Sequence, residues 1–243
     1  MLPELYHAHL SHHLEDLPFW LELAAQAGGP ILELGCGTGR VLVPLAQAGY
    51  RTVGIDHDPG MLNHLQENLD PLLQPKPSLI TADISQFSLA KQFPLIILPC
   101  NTLSTFGDER RRECLRCVRR HLNSEGMFAV SLPNPELLSH IPSHGEVEFE
   151  DEFILPQTGN PVQVSSSMRR TRRSLTVTWN YDLLFPDGTV ERMTMESSQM
   201  IIPAKTYLEE LKAAGLKMDR LYGDFNRSAF TVDSPNLIIL STG

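Results

Sequence analysis

The residues best suited to chemistry form one glycine-rich stretch near the start of the chain. It reads Glu33-Leu34-Gly35-Cys36-Gly37-Thr38-Gly39-Arg40 and lies between the apolar pair Ile31-Leu32 and a helical pattern at 41–48. Because glycine has no Cβ, it allows positive φ angles and lets a ligand approach the backbone closely. The following helix directs its free N–H groups and the positive end of its dipole toward such a ligand. The stretch therefore predicts a cofactor pocket where a strand turns into a helix.

The spacing of the glycines separates several kinds of cofactor pocket. A dinucleotide fingerprint is G-x-G-x-x-G, whereas this chain has G-x-G-x-G and carries Arg40 in place of the third, packing glycine. A P-loop would need a Lys followed by Ser or Thr, and neither is present. Glu33 is unfavourable beside a pyrophosphate, because like charges would face each other. The stretch favours a cationic or zwitterionic ligand and argues against an NAD-dependent oxidoreductase.

The segment E-L-G-C-G-T-G at 33–39 resembles motif I of the class I S-adenosylmethionine-dependent methyltransferases. The resemblance implies a Rossmann-like fold, methyl transfer and S-adenosyl-L-methionine as the cofactor. It also implies that this cofactor contacts the turn through six residues: Glu33, Gly35, Cys36, Gly37, Gly39 and Arg40.

Further matches follow along the chain. Asp56 ends an apolar segment about 20 residues beyond the glycines, where a carboxylate can accept hydrogen bonds from both ribose hydroxyls. The next residues, D-H-D-P-G-M-L, are similar to the family's D-x-S-x-x-M-L, so the resemblance adds His57 and Met61 to the cofactor site. It also implies that Asp83 accepts a hydrogen bond from the adenine amino group and that the Ile84 N–H approaches the ring.

The acceptor side is less clearly marked. An apolar strand at 94–99 leads into Cys100-Asn101-Thr102, which in small-molecule members of the family contacts the methionine end of the cofactor. Asn101 is therefore a candidate for both cofactor contact and catalysis, although a turn asparagine bonded to its own backbone is the alternative. The resemblance makes Tyr6 a second catalytic candidate, because the family's N-terminal segment folds over the cofactor. No general base is identified.

The order of apolar segments predicts an α/β fold. Strands near 30–34, 51–55, 78–82, 94–99 and 126–132 alternate with helices near 17–27, 38–48, 59–69 and 108–122. Such alternation favours a doubly wound, mostly parallel sheet. A helix at 203–214 and strands at 216–222 and 237–241 complete seven strands, and by resemblance the last strand is antiparallel and inserted beside the fifth. We expect a methyltransferase domain at 1–143 and 203–243.

Between these parts, residues 144–202 show four strand-like runs without helices. Turns at Thr158-Gly159-Asn160-Pro161 and Pro186-Asp187-Gly188 separate them. This pattern predicts an inserted antiparallel β lid over the mouth of the cofactor domain. Trp179 and Tyr181 share one face of a lid strand and either line the acceptor pocket or pack the sheet. The loop after 216–222 adds Tyr222, Phe225 and Asn226 as substrate candidates.

Composition limits the function further. The net charge of −9 argues against a polyanionic substrate, and the arginine clusters at 110–120 and 169–173 are interpreted as solvated faces rather than a nucleic-acid site. Neither a membrane-spanning run nor a signal-peptide pattern is present, so we expect a soluble cytoplasmic monomer or homodimer. No metal site is predicted, and Cys114 and Cys117 are expected on the buried side of a helix. The histidines at 7–13 are expected in a partly exposed segment.

These patterns together predict an S-adenosylmethionine-dependent methyltransferase that acts on a nitrogen or oxygen atom of a small molecule. A non-catalytic, regulatory protein that binds S-adenosylmethionine or S-adenosylhomocysteine is the alternative. Both hypotheses share the donor pocket and differ only in whether a methyl group is transferred.

Overall fold

A computed structural model describes residues 1–243 and contains seven α-helices and eleven strands. The helices are α1 (Leu2–Leu10), α2 (Leu17–Ala27), α3 (Leu42–Gln47), α4 (Pro59–Asn68), α5 (Asp108–His121), α6 (Pro135–His140) and α7 (Ala204–Ala213). The strands are β1 (Ile31–Leu34), β2 (Thr52–Asp56), β3 (Ser78–Thr81), β4 (Phe93–Leu98), β5 (Leu122–Pro133), β6 (Glu148–Ile154), β7 (Pro161–Arg170), β8 (Ser174–Leu184), β9 (Val190–Met200), β10 (Lys217–Tyr222) and β11 (Asn236–Thr242).

The larger sheet has seven strands in the order β10-β11-β5-β4-β1-β2-β3. Strands β1 to β5 pair in parallel, while β11 is antiparallel to both β5 and β10. The predicted fold class is therefore confirmed, including the antiparallel last strand beside the fifth. Strand order reverses between β1 and β4, and ligands in open α/β sheets bind in the crevice outside the carboxyl ends at such a point.

Apolar side chains cover both faces of this sheet. One core cluster joins α5 and α7 to the sheet and includes Cys114 and Cys117, both buried, as predicted for the inner side of a helix. The second cluster packs Phe19 and Trp20 of α2 against β1, β4 and β11. With both faces covered, the carboxyl edge of the sheet is left to form a ligand site.

The smaller sheet is antiparallel, with the order β6-β7-β8-β9. It spans Glu148–Met200, inside the segment 144–202 that the sequence marks as the inserted lid. One face packs against α1, where Leu5 joins Val162, Val164 and Tyr181 in a separate core cluster. Domain boundaries at 144 and 202 remain a prediction.

Three local elements were not predicted from the sequence. They are α1, α6 and a 3₁₀ turn at Thr102–Thr105. The histidine-rich segment is partly exposed, as expected: His12 and His13 are exposed beyond α1, while His9 on α1 is buried with Leu5 against the lid sheet. A helix of this length is marginal in isolation, so tertiary packing rather than local sequence determines it. None of the helices combines the length and the apolar character that a membrane-spanning helix needs.

Candidate active site

The glycine turn between β1 and α3 is shaped by three left-handed residues. Gly35, Gly37 and Gly39 have φ angles of 68°, 52° and 88°. A Cβ on Gly39 would lie 2.6 Å from a Leu65 methyl group, so this glycine permits packing against α4. A Cβ on Gly37 would meet no atom within 4 Å, and Gly37 lines an open cavity. Close backbone approach by a ligand is therefore possible at Gly37.

Asp56, at the carboxyl end of β2, is fixed beside this turn. Its Oδ2 accepts a hydrogen bond from the Gly37 N–H at 2.7 Å, and its Oδ1 accepts one from the Asp58 N–H at 3.0 Å. Both oxygens thus have one backbone donor, and a carboxylate has lone pairs left for further donors. Because Asp56 also lines a cavity, these lone pairs are available to ligand hydroxyl groups.

Glu33, at the end of β1, is a buried carboxyl group without a compensating partner. Only 2% of the residue is exposed, and its Oε2 has no hydrogen-bond partner. Burial raises the pKa of Glu33 well above its usual range, although the charge of Arg40 opposes that rise. A buried polar atom without a partner is costly, so a cationic group in the adjoining cavity would satisfy it.

Arg40 and Asp16 form a pair at the edge of the cavity. The guanidinium donates from Nη1 to Oδ1 at 2.5 Å and from Nη2 to Oδ2 at 2.7 Å, and it also reaches the Cys100 Sγ at 2.9 Å. Trp20 donates its indole N–H to the same carboxylate. The charge of Arg40 is therefore largely balanced before any ligand binds.

The loop after β4 has an unusual backbone. Cys100 and Asn101 are consecutive non-glycine residues with φ angles of 59° and 62°. The Asn101 carbonyl accepts a hydrogen bond from the Ser104 hydroxyl, which begins the 3₁₀ turn. Left-handed non-glycine residues persist where the surroundings impose them, and they cluster at ligand sites. Both residues line the larger cavity.

Two adjoining cavities occupy this edge of the sheet, with volumes of about 590 and 370 Å³. They share Tyr6, Gly35, Gly37, Cys100, Thr102 and Ser197 as lining residues. The smaller cavity extends along α4, where its wall consists of Asp56, His57, Asp58, Met61, Ile84, Thr105, Phe106 and Arg110. The larger cavity extends from Glu33 toward the lid sheet. The smaller cavity contains the apolar side chains of Met61, Ile84 and Phe106, and most residues that line the larger cavity are polar.

Tyr6 lies at the junction of the two cavities because α1 runs across the glycine turn. His7 on the same helix places Nδ1 3.0 Å from the Thr38 hydroxyl, and its ring packs against His64 of α4. Burial raises the pKa of Tyr6 to about 12, so its hydroxyl stays protonated near neutral pH and is available as a hydrogen-bond donor.

The predicted site residues are only partly brought together. All the residues predicted to contact the cofactor line one of the two cavities, except Gly39 and Asp83. Asp83 instead accepts hydrogen bonds from the Ser85 N–H and hydroxyl and lies 3.2 Å from Arg110. The cofactor roles assigned to these residues remain predictions.

On the acceptor side, Trp179 and Phe225 line the larger cavity, whereas Tyr181, Tyr222 and Asn226 do not. Tyr181 is buried between α1 and the lid, which corresponds to the packing alternative considered for it. Tyr222 packs edge-on against Phe19, and Asn226 is exposed. A two-residue spacing along β8 fixes the shared face, but neighbouring elements determine which residue meets the cavity.

Several lining residues were missed by sequence reasoning. In the larger cavity they include Leu10, Ser11, His13, Glu15, Asp16, Ser131, Met195, Glu196, Ser197, Gln199 and Asn236. Most are ordinary loop or strand residues without a motif, although Ser131 at the end of β5 could have been found from the rule that ligands meet the carboxyl ends of strands. No group of three or more His, Cys, Asp or Glu side chains is arranged to hold a metal ion.

Comparisons with known proteins agree with this geometry. Residues 31–126 match the family described as "Methyltransferase domain". The putative methyltransferase YqeM of Bacillus subtilis (strain 168) is 23% identical over 224 residues, which are 90% of this chain and 85% of that protein.

Solved structures also resemble the chain over nearly its whole length. A S-adenosylmethionine-dependent methyltransferase from Clostridium acetobutylicum ATCC 824 superposes with a TM-score of 0.82 at 15% identity, over 98% of this chain and 96% of that one. The sugar N-methyltransferase KedS8 from Streptoalloteichus sp ATCC 53650 superposes with a TM-score of 0.77 at 18% identity, over 98% of this chain and 90% of that one. The chain therefore has the fold of the class I S-adenosylmethionine-dependent methyltransferases, and its residues 31–126 are similar to a methyltransferase domain.

Proposed function

We propose that this protein transfers a methyl group from S-adenosylmethionine to a nitrogen or oxygen atom of a small-molecule acceptor. The observation that carries the donor half is Glu33, a buried carboxyl group with an unpartnered oxygen in the wall of the larger cavity. The α-ammonium group of S-adenosylmethionine is a cation of the kind that this oxygen lacks. The acceptor half is supported by the polar extension of that cavity toward the lid.

The smaller cavity fits the adenosine part of this ligand. Asp56 would accept hydrogen bonds from the two ribose hydroxyls, because each of its oxygens keeps a free lone pair beside the cavity. Met61, Ile84 and Phe106 provide apolar surface of the sort that packs on an aromatic base. Arg110, which also lines this cavity, stacks on the Phe106 ring at 4.3 Å.

When bound, the cofactor supplies a sulfonium methyl group that a nucleophile displaces in line with the departing sulfur. The protein's own part is to hold the acceptor atom close to that methyl group, aligned with the C–S bond, and to exclude water. Asn101, Ser131 and Asn236 offer amide and hydroxyl groups for orientation. Trp179 and Phe225 offer aromatic faces, and the inserted sheet at 144–202 covers the cavity as a lid.

A small acceptor is also consistent with the size of the larger cavity, about 590 Å³, part of which the methionine end of the donor would occupy. The similar KedS8 is by its name a sugar N-methyltransferase, which favours an acceptor of metabolite size.

Isothermal titration calorimetry with S-adenosylhomocysteine tests the donor site. We expect saturable binding by the wild-type protein and a loss of about a hundredfold or more in affinity for Asp56→Ala, because two hydrogen bonds to a charged acceptor disappear. Asp219→Ala is the matched control, since Asp219 lies exposed on β10 and pairs only with its neighbour Arg220. Absence of binding by the wild-type protein would refute the proposal.

A second measurement separates the enzyme from the regulatory alternative. The protein is incubated with methyl-labelled S-adenosylmethionine and a small-molecule extract, and labelled products are sought by mass spectrometry. A product that is formed by the wild type and lost with Asp56→Ala supports methyl transfer. Binding without any labelled product across the extract would favour the non-catalytic protein.

A further inference from the structure

Glu150 occupies a β-bulge in the lid and contacts two different elements. Pairing between β6 and β7 passes from Phe149↔Ser165 directly to Asp151↔Val164, so Glu150 is the extra residue. Its Oε1 accepts a hydrogen bond from Trp179 Nε1 at 3.2 Å and lies 3.4 Å from His9 Nε2. Bulges redirect side chains and are frequent beside active sites. Here the bulge brings a carboxylate to the face of the sheet that meets α1.

Glu150 and Trp179 meet across an intervening strand. Strand β7 lies between β6 and β8, so the two backbones are separated by about 10 Å, or twice the usual strand spacing. The residue of β7 opposite Trp179 is Ser166, which is buried. Its short side chain leaves room for the indole and the carboxylate to approach each other above it.

His9 connects this pair to α1. The imidazole is only 2% exposed, and its Nδ1 lies 3.1 Å from the Tyr181 hydroxyl. Burial lowers the pKa of His9, although Glu150 and Asp151 oppose the shift, so the ring is neutral near pH 7. A neutral imidazole has one donor and one acceptor. The Tyr181 hydroxyl then donates to Nδ1, and the N–H at Nε2 faces Glu150.

We propose that Glu150 is a positioning residue that couples the docking of α1 to the placement of Trp179. Helix α1 carries Tyr6, which lines both cavities, and Trp179 forms part of the wall toward the acceptor. One carboxylate oxygen therefore joins the element that covers the donor to the side chain that faces the acceptor. The assignment of the two cavities to methyl donor and acceptor rests on the proposed function. The coupling between α1 and Trp179 rests on these contacts alone.

Acrylamide quenching of Trp179 fluorescence tests the coupling. The chain has two tryptophans, so subtracting the signal of each protein's Trp179→Phe counterpart isolates Trp179. We expect severalfold stronger quenching for Glu150→Ala. We expect the same for His9→Ala, although His9 makes no hydrogen bond to Trp179. The double variant should match Glu150→Ala, because both changes break one connection. In each of these three variants, the affinity for S-adenosylhomocysteine should fall about three- to tenfold, as for one lost hydrogen bond.

Glu152→Ala is the matched control, since its carboxylate lies two residues along the same strand and accepts a hydrogen bond only from Gln163. It should behave as the wild type. Glu150→Gln keeps an oxygen for the Trp179 N–H and should restore most of the protection from quenching. The coupling is overturned if His9→Ala leaves the quenching of Trp179 at its wild-type value, or if the two single effects add. Failure of every protein to bind S-adenosylhomocysteine would refute the donor site instead, and the quenching comparison would still decide on Glu150.

Discussion

At the scale of single residues, the proposed donor site combines one satisfied and one unsatisfied carboxyl group. Asp56 receives two backbone N–H donors, whereas Glu33 is buried with an oxygen that has none. The first arrangement holds a hydrogen-bond acceptor rigidly in place. The second stores a desolvation cost that a cationic ligand group relieves. We therefore expect part of the affinity for a cationic ligand group to come from giving the buried Glu33 oxygen the partner that it lacks in the free protein.

Glu33→Gln should stabilise the free protein in a pH-dependent way. The folded-state pKa of Glu33 lies above its unfolded value, so the native state binds the extra proton between those two values. Stability of the wild type then falls as the pH rises through this window, which begins near the ordinary glutamate pKa of about 4.3. Glutamine does not titrate, so the melting temperature of the variant relative to the wild type should increase from pH 4 to pH 8.

The same variant should bind S-adenosylhomocysteine more weakly, because the charge opposite the ammonium group is lost. Glu67→Gln is the control, since Glu67 is exposed on α4 and makes no hydrogen bond or ion pair. A melting-temperature difference that stays constant with pH would show that the Glu33 carboxyl does not titrate between the two states as proposed.

At the scale of elements, α5 and α7 are joined by a buried ion pair. Arg111 is fully buried and donates from Nε and Nη2 to the two oxygens of Glu210, at 2.5 and 2.7 Å, while its guanidinium lies over the Tyr207 ring. The Phe106 carbonyl accepts a further hydrogen bond from Nη1. This clamp fixes the start of α5 and, with it, the end of the loop that carries Cys100 and Asn101.

Glu210→Ala should lower the free energy of unfolding by about 3 kcal/mol, because it removes the buried carboxylate that accepts two hydrogen bonds from Arg111 and leaves only the half-exposed Asp108 as counter-charge. Urea denaturation at pH 7 measures the loss. Arg111→Met combined with Glu210→Leu should recover most of it, since apolar replacement removes both charges. Arg112→Ala serves as control: its side chain is about half exposed and 3.8 Å from Glu210, and its removal should cost below about 1 kcal/mol. A loss for Glu210→Ala as small as the control would contradict the clamp.

At the scale of the whole molecule, the site is assembled from three parts that are far apart in the chain. The carboxyl edge of the seven-stranded sheet supplies the floor, α1 covers the glycine turn, and β8 and β9 supply the wall. The helix is held on both sides, by His7 to Thr38 and by His9 to the lid sheet. A ligand in the cavities therefore contacts all three parts together.

Ligand binding should stabilise the protein as a unit and protect α1 in particular. At a hundredfold excess over Kd, S-adenosylhomocysteine should add about 2.7 kcal/mol, which raises the melting temperature by roughly 5–10 °C for a chain of this size. Hydrogen–deuterium exchange should slow in α1 and the glycine turn and stay unchanged in the edge strand β10, none of whose residues lines either cavity. A rise in melting temperature without protection of α1 would show that this helix does not enclose the ligand.

Much of the framework follows from local sequence. Strand and helix positions in the seven-stranded sheet, the four strands of the insertion and the glycine turn were predicted within a few residues of their observed bounds. These features depend on apolar periodicity and on glycine, both of which act over short distances. The antiparallel last strand and the roles of Asp83, Cys100 and Asn101 needed the family resemblance as well.

The sequence by itself determined the glycine turn and the carboxylates at strand ends, on which the proposed donor site depends, because they are local features of single strand–loop units. Only the tertiary structure decided which of the candidate substrate residues line the larger cavity. It placed Tyr181 in a core cluster while Trp179 reached the cavity, although both lie on one face of β8. It also folded the histidine-rich N-terminus into α1 and set His9 against Glu150. Contacts between elements so distant in the chain leave no periodic trace in sequence, since they depend on how whole elements pack.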